Sequence, residues 1–367
     1  MIHFVVPEKH SKGIREYLGH WGLSLAERCR IVHTENLVRQ NTFSRGTYVL
    51  MALDQWDPAT EQLMMQLSSS LSSLKDVRFI NNPVRTLRRF ELLRELHRQN
   101  RNEFRAIRAG QDLCSLRYPV FLREERSHDG AISPLLKSSG EVEKAIGRAL
   151  VQGHRLRDLL VIEFCNTADK EGFYRKYAAF VVGNKVIARS LNYGTHWMLK
   201  HEGTEFTQSM ALEERKFVFE NPHEEKLRKI FEIAGVEYGR IDYALKDSRI
   251  QTWEINLNPT IGRGLGATSG NVPAELEPIR TEVKQHFYRC FQDAWEAVDV
   301  TPTEDEAIRV SLDVSGVRSN RSSSARGPLL AAARALVRPA KSRLEPLAAP
   351  FLRLVGWCAL RRNRICL

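Results

Sequence analysis

The sequence predicts a mixed α/β and α+β protein: a small parallel α/β domain, a compact α+β unit, a larger α+β core and a basic C-terminal tail. Three observations predict it. Over the first 85 residues, strand-like apolar runs alternate with helical segments, as in parallel βαβ units. Beyond Tyr118, short strands come in pairs joined by turn residues, as in antiparallel sheet. Residues 317–367 carry eleven Lys and Arg against one acid, Glu345, which leaves +10 on the tail and +1 on residues 1–316.

The 367 residues are 43% hydrophobic and 27% charged, which excludes a collagen, a disulfide miniprotein and a disordered chain. No apolar run reaches the ~20 residues of a membrane-spanning helix. Met1 leads straight into the strand-like IHFVV without a signal peptide, so a cytoplasmic protein is expected. The six cysteines form no CxxC pair, which predicts reduced thiols rather than a zinc ribbon or disulfide frame.

The nearly neutral body has no interleaved basic and aromatic motif, so no nucleic-acid partner is expected. The tail pieces LLAAARALV and PFLRLVGWCALRR can be drawn as amphipathic helices that touch a membrane surface or a protein partner. A solvated basic extension explains their composition equally well. The terminal RICL is not a prenylation box, whose cysteine would have to stand at Arg364. Nothing in the sequence reports the oligomeric state.

The strands IHFVV, TYVLMALD and VRFINNP, with LMMQLSSSLSSL as a helix, make residues 1–85 the parallel domain. Residues 86–165 follow as an amphipathic helix (Arg85 to Arg98) and the α+β unit, with strands YPVFLRE, AISPLL and DLLVIEF around the helix GEVEKAIGRALV. The core, residues 166–300, holds FYRKYAAFVV and KVIARSL flanking Gly183-Asn184, then the helix EEKLRKIFEIAG closed by Gly235. It ends with the hairpin VEYGRIDYAL and IQTWEINL, the loop IGRGLGATSGN and a helix near Glu277 to Val298. Residues 301–367 are the tail.

The last hairpin carries the chemistry. Side chains alternate faces along a strand, so Arg240, Asp242 and Ala244 share one face and Ile241, Tyr243 and Leu245 the other. Thr252, Glu254 and Asn256 share a face in the second strand, opposite Trp253, Ile255 and Leu257. A turn centred on Ser248 sets Asp242 opposite Glu254 and Arg240 opposite Asn256, with Cβ atoms about 5 Å apart. Two carboxylates that close repel unless a cation sits between them. With an amide oxygen they make a hard donor set suited to Mg²⁺, and Arg240 adds a cation for a phosphate or oxyanion. The competing reading is a solvated face on which Glu254 pairs with Arg240 and Asp242 meets water. The loop Asp247-Ser248-Arg249 lacks the glycine that a three-residue connection prefers.

GRIDYALKDSRIQTWEINLNP resembles the metal-binding segment of ATP-grasp enzymes, the group that includes D-alanyl-D-alanine ligase. The resemblance spans roughly residues 1 to 300 in domain order, with the α+β unit as lid. It implies that Asp242, Glu254 and Asn256 hold two magnesium ions against the ATP phosphates, and that Arg240 steadies the γ-phosphate and the tetrahedral oxyanion. In PVFLRE it implies that Arg123 reaches the α and β phosphates, where family members commonly have lysine. The following loop, Ser127-His128-Asp129-Gly130, has one glycine where the family has several small residues. LLVIEF resembles the hinge that holds adenine through backbone hydrogen bonds, implying Glu163, Phe164 and Cys165; an ordinary buried strand fits LLVI as well.

Pairing residue 182 with 185 places Lys176 and Arg189 on one face, where triphosphate is the candidate anion and a charged strand edge the alternative. Asn258, Gly262 and Gly264 then belong to a substrate loop beside the metals. The implied activity is an ATP- and Mg²⁺-dependent ligase. It activates a small carboxylate substrate as an acyl phosphate for attack by an amine or other nucleophile, releasing ADP and phosphate. A kinase on the same frame, or a non-catalytic nucleotide-binding scaffold anchored by its tail, are the rivals.

Overall fold

The computed structural model describes residues 1–37, 39–199, 206–261, 273–300 and 307–312, and Gly356. In chain order residues 1–88 form β1 (Ile2–Val6), α1 (Lys12–His20), α2 (Leu23–Ala26), β2 (Cys29–His33), α3 (Thr34–Leu37), β3 (Thr42–Phe43), β4 (Gly46–Leu50), α4 (Pro58–Leu71) and β5 (Val77–Ile80). Next come α5 (Arg89–Arg98), β6 (Ala106–Arg108), β7 (Val120–Glu124), α6 (Ser139–Gln152) and β8 (Leu159–Glu163). The rest is β9 (Tyr174–Val182), β10 (Lys185–Gly194), α7 (Gln208–Glu220), α8 (Glu224–Ala234), β11 (Tyr238–Lys246), β12 (Arg249–Asn256), α9 (Glu277–Val298) and β13 (Ile308–Arg309).

The chain divides into two compact units, Met1–Arg88 with Thr167–Asn320, and Arg89–Asn166 with Arg321–Leu367. The proposed tail helices and the glycines of the substrate loop, Gly262 and Gly264, lie outside the described residues. Among those described, no helix is long and apolar enough to cross a membrane.

In the first unit, β2-β1-β4-β5 make a wholly parallel sheet. Every residue of β1 and β4 is buried, as continuous apolar runs require when both faces are covered. Asp57 starts α4 by accepting from Ala59 N (2.9 Å) and Thr60 N (3.0 Å), with Pro58 at the first helical position. The second sheet, β10-β9-β11-β12, is antiparallel. α9 lays Phe287, Phe291 and Trp295 on one of its faces, against Phe180 and Tyr238, and Trp295 continues to Phe4 of β1. On the other face Tyr177 and Tyr243 stack 5.3 Å apart beside Phe217 of α7. Asn81 joins the two sheets: its Nδ2 donates to Leu50 O (3.0 Å) and Tyr238 O (2.7 Å), and its Oδ1 accepts from Glu237 N and Tyr238 N, both 3.0 Å.

In the second unit, β6-β8-β7 form an antiparallel sheet covered by α6, with Val120, Leu122, Val142, Ile146, Leu159 and Val161 in its core. Ser138 caps α6 through Glu141 N, and Gly153 ends it with φ +107°.

Three expectations are corrected here. AISPLL is not a strand; it pairs with β7 through the isolated bridges Val120↔Leu136 and Arg123↔Ala131, with Leu122 N donating to Ser133 Oγ (2.9 Å), because Pro134 cannot donate to a ladder. The second hairpin closes with a two-residue turn, since Lys246 pairs with Arg249 and both Asp247 (φ +48°) and Ser248 (φ +62°) are left-handed. That turn has no third loop residue, and Ser248 stands at its second central position, where such turns favour glycine. The turn predicts that Ser248→Val destabilises the protein by about 1–2 kcal/mol. Ser248→Gly stabilises it by roughly 0.5 kcal/mol, strain relief offset by chain entropy. Urea midpoints measure both.

The third correction concerns faces. A bulge lies opposite the Asp242/Tyr243 step, so Glu254 pairs with Asp242 while Thr252, not Trp253, pairs with Tyr243. Thr252 therefore lies on the face of Tyr243 rather than with Glu254 and Asn256, and Trp253 is half-buried at the bulge instead of packed in the core.

Candidate functional site

Arg240 stands opposite Asn256 and Asp242 opposite Glu254, the register expected, because the bulge compensates for the shorter turn. β9 continues the face on the other side, with Ala178 opposite Asp242 and Phe180 opposite Arg240. These small and apolar neighbours leave Asp242 5% exposed. It receives Arg240 Nε at 2.8 Å on Oδ1 and Nη2 at 3.3 Å on Oδ2, with Lys176 Nζ at 3.6 Å from Oδ2.

Asp242 thus does not face water, and the cation that pairs bidentately with it is the arginine of its own strand. Burial pulls the Arg240 proton affinity down, but Asp242, directly bonded, and Glu254, across the strand pair, outweigh it and raise the pKa. Asn256 turns its Oδ1 to Asn258 N at 2.8 Å, and Asn258 Nδ2 donates to His10 O at 3.1 Å.

That last bond locates the face within the unit. β2 and β4 flank β1 on opposite sides, so the order of the parallel sheet reverses between β1 and β4, where α/β proteins bind ligands beyond the strand carboxyl ends. Ala52 N donates to Leu257 O (3.1 Å) just beyond β4, and His10 lies just beyond β1. The hairpin end bearing Asn256 and Asn258 is thereby docked on that switch point.

The donors fit magnesium: two carboxylates opposed on adjacent strands, with an amide oxygen two residues along, are hard oxygen ligands. Among the described residues no group of three or more His, Cys, Asp or Glu forms an all-protein cage. Such a two-carboxylate site leaves coordination to water and phosphate, as Mg²⁺ prefers.

Lys176 joins this face through Asp242. Arg189 reaches it by an unforeseen route: it is the extra residue of a bulge in β10, between the pairs Ala188↔Ala179 and Ser190↔Ala178, and it is 5% exposed.

In the second unit Arg123 is half-buried on β7. Glu163 is 1% exposed, and its carboxylate accepts from Arg105 N, Nε and Nη2 (3.1, 2.9 and 2.7 Å) and from Arg117 N, Nε and Nη2 (2.8, 3.2 and 3.0 Å). Burial pushes the Glu163 pKa up, and these donors outweigh it and lower it. The backbone N–H of Glu163 donates to Arg105 O (3.0 Å) and that of Phe164 to Pro119 O (2.9 Å). Those two N–H groups are committed within the unit. Cys165 is buried beside them.

Sequence reasoning missed Arg89, whose Nη1 donates to Glu124 O (3.2 Å), Glu125 O (2.5 Å) and Ser127 O (2.9 Å), holding the start of the loop before Gly130. It also missed Arg105, Arg117 and Asn81. One signal was available: a Glu inside an apolar strand must find cations, and arginines crowd residues 101–117.

No family model matches the sequence, and no curated protein matches it. Among solved structures the chain is similar to the D-alanine–D-alanine ligase from Bacillus anthracis, at 12% identity and TM-score 0.43, covering 79% of this chain and 99% of that one. It is similar to the Coxiella burnetii D-alanine–D-alanine ligase at 9% identity and TM-score 0.45, covering 81% and 98%. It is also similar to a RimK domain protein ATP-grasp from Sphaerobacter thermophilus DSM 20745 at 14% identity and TM-score 0.43, covering 79% and 99%.

Proposed function

We propose that the protein is an ATP- and Mg²⁺-dependent ligase that activates a substrate carboxylate by phosphorylation and joins it to an amine or another nucleophile. The observation that carries this reading is the pairing of Asp242 with Glu254 and of Arg240 with Asn256 on one face, with Lys176 beside them. Asp242, Glu254 and Asn256 would hold Mg²⁺, two ions in all, which supplies Lewis-acid neutralisation of the phosphate oxygens.

The chain's own residues do the rest. Arg240 presents a guanidinium, oriented by Asp242, to the γ-phosphate and then to the oxyanion formed when the nucleophile attacks the acyl phosphate. Lys176 offsets charge on the nucleotide. Asn258, tied to His10, borders the substrate at the switch point. Arg123 and the Glu163–Cys165 segment take the nucleotide roles that the resemblance implies, with Glu163 contributing backbone because its carboxylate is committed.

The test is to incubate the protein with ATP, Mg²⁺ and pools of amino acids and small acids, measuring ADP and phosphate and identifying new masses. ADP, phosphate and a condensed product are expected in equal amounts. ADP with a stable phosphorylated product would make it a kinase, and nucleotide binding without ADP release a scaffold.

A further inference from the structure

Arg189 has no β9 partner of its own, because the ladder passes from Ala188↔Ala179 to Ser190↔Ala178 around it. A bulge re-aims a side chain, here toward the face of Ala178, on which β11 sets Asp242 and Arg240. α9 covers this part of the sheet. The Arg189 guanidinium carbon lies 4.4 Å from the Phe287 ring centre and 5.5 Å from that of Tyr288. Tyr288 is fixed in turn: its hydroxyl donates to Ile261 O (2.6 Å), and its ring stacks on Trp21 at 4.1 Å and 11°.

In this setting Nη1 of Arg189 is buried with no hydrogen-bond partner among the described residues. The acid that acts on it electrostatically, Glu214, is 4% exposed and accepts from Leu191 N at 3.2 Å. Burial lowers the Arg189 pKa, Tyr288 and Glu214 oppose the shift, and Arg240 adds repulsion. A buried guanidinium without a paired anion is among the costlier arrangements in a protein interior, and stacking on two rings returns only part of that cost. The contrast within this chain is Glu163, whose two arginines satisfy it completely.

We infer that Arg189 is a preorganised receptor for an anion from outside, the carboxylate of an amino-acid-like substrate, held beside the metal-binding face. A triphosphate would bring several charges to one enclosed cation, whereas Lys176 and Arg240, with side chains 29% and 24% exposed, already stand at Asp242 for that purpose. A carboxylate brings one charge in the planar geometry that a guanidinium matches. This assignment rests on the ligase reading and takes Arg189 from the triphosphate to the substrate. Arg189 acts here as a specificity residue.

The experiment compares the intact protein with Arg189→Met and Arg189→Lys. Unfolding midpoints are recorded with each free amino acid, with each matching amino-acid amide, and with ATP and Mg²⁺ alone; ADP release is measured in parallel. At least one free amino acid is expected to raise the wild-type midpoint by several degrees while its amide does not. Arg189→Met loses that difference and raises KM for the same compound about 100-fold. Its ligand-free midpoint equals or exceeds the wild-type value, because an unpaired buried charge has been removed. Arg189→Lys keeps part of the response.

A fall of several degrees in the ligand-free midpoint of Arg189→Met, or its failure to fold, would make the arginine structural and overturn the inference. So would acids and amides acting alike on the wild type, or an Arg189-dependent shift with ATP and Mg²⁺ alone. Arg189-dependent acid discrimination without any ADP release would sink the ligase reading and leave this site standing.

Discussion

Asp242→Asn is expected to lower ADP release by about 10²–10³-fold, the scale of losing one preorganised charged contact at a transition state. It also unfolds the first unit more easily, by about 2–4 kcal/mol. Asp242 is 5% exposed and its carboxylate holds both Arg240 and Lys176, so an amide leaves two cations facing each other on a half-covered sheet. Glu254→Gln separates the two effects. Glu254 is half-buried, so its stability loss is smaller while its turnover loss is comparable. Turnover measured beside urea midpoints gives the check: wild-type ADP release by both variants would remove the metal-and-phosphate role from this hairpin.

Glu163→Ala is expected to destabilise residues 89–166 by about 3 kcal/mol, because six donors from Arg105 and Arg117 lose their acceptor. The figure is at the low end for a buried pair, since the Arg117 side chain is 64% exposed and water takes up part of its charge. Hydrogen exchange distinguishes this from global unfolding: protection falls in β6, β7 and β8 and persists in β1 and β4.

The same carboxylate sets an acid limit. Its folded pKa is depressed below the ordinary 4.5, so its contribution is fully present above 4.5 and is lost as pH falls through the folded value. Wild type is expected to lose protection in this unit as pH falls below 4.5, and Glu163→Gln to show a flatter pH dependence there. Equal acid sensitivity in the two would show that another group governs it.

The fold was legible wherever local pattern and long-range pairing agree. Apolar strands alternating with helices marked the parallel sheet, Gly183-Asn184 marked the β9–β10 turn, and Gly235, left-handed at φ +63°, marked the end of α8. β2 was overlooked because CRIVH is short and only partly buried. α7 was overlooked because its apolar side chains do not follow one stripe: Phe217 and Val218 are buried while Leu212 is 49% exposed. Its ends were written in the sequence all the same, in the Thr207 cap and in Asn221 at φ +45°.

The sequence by itself put Arg240 with Asp242 on one strand face and Glu254 with Asn256 on another, because alternation along an extended chain is a property of the backbone. Their pairing across the strands followed because a bulge offset the shorter turn. Only the tertiary structure decided where the two bulges fall, since an extra residue is accepted where the partner strand and the covering helix leave room for it. One bulge turned Thr252 away from the face of Asp242 and Glu254, and the other sank Arg189 beneath Phe287 and Tyr288. Burial, which depends on every element packed above a residue, separates an arginine that meets solvent, such as Arg117, from one enclosed by aromatic rings, such as Arg189.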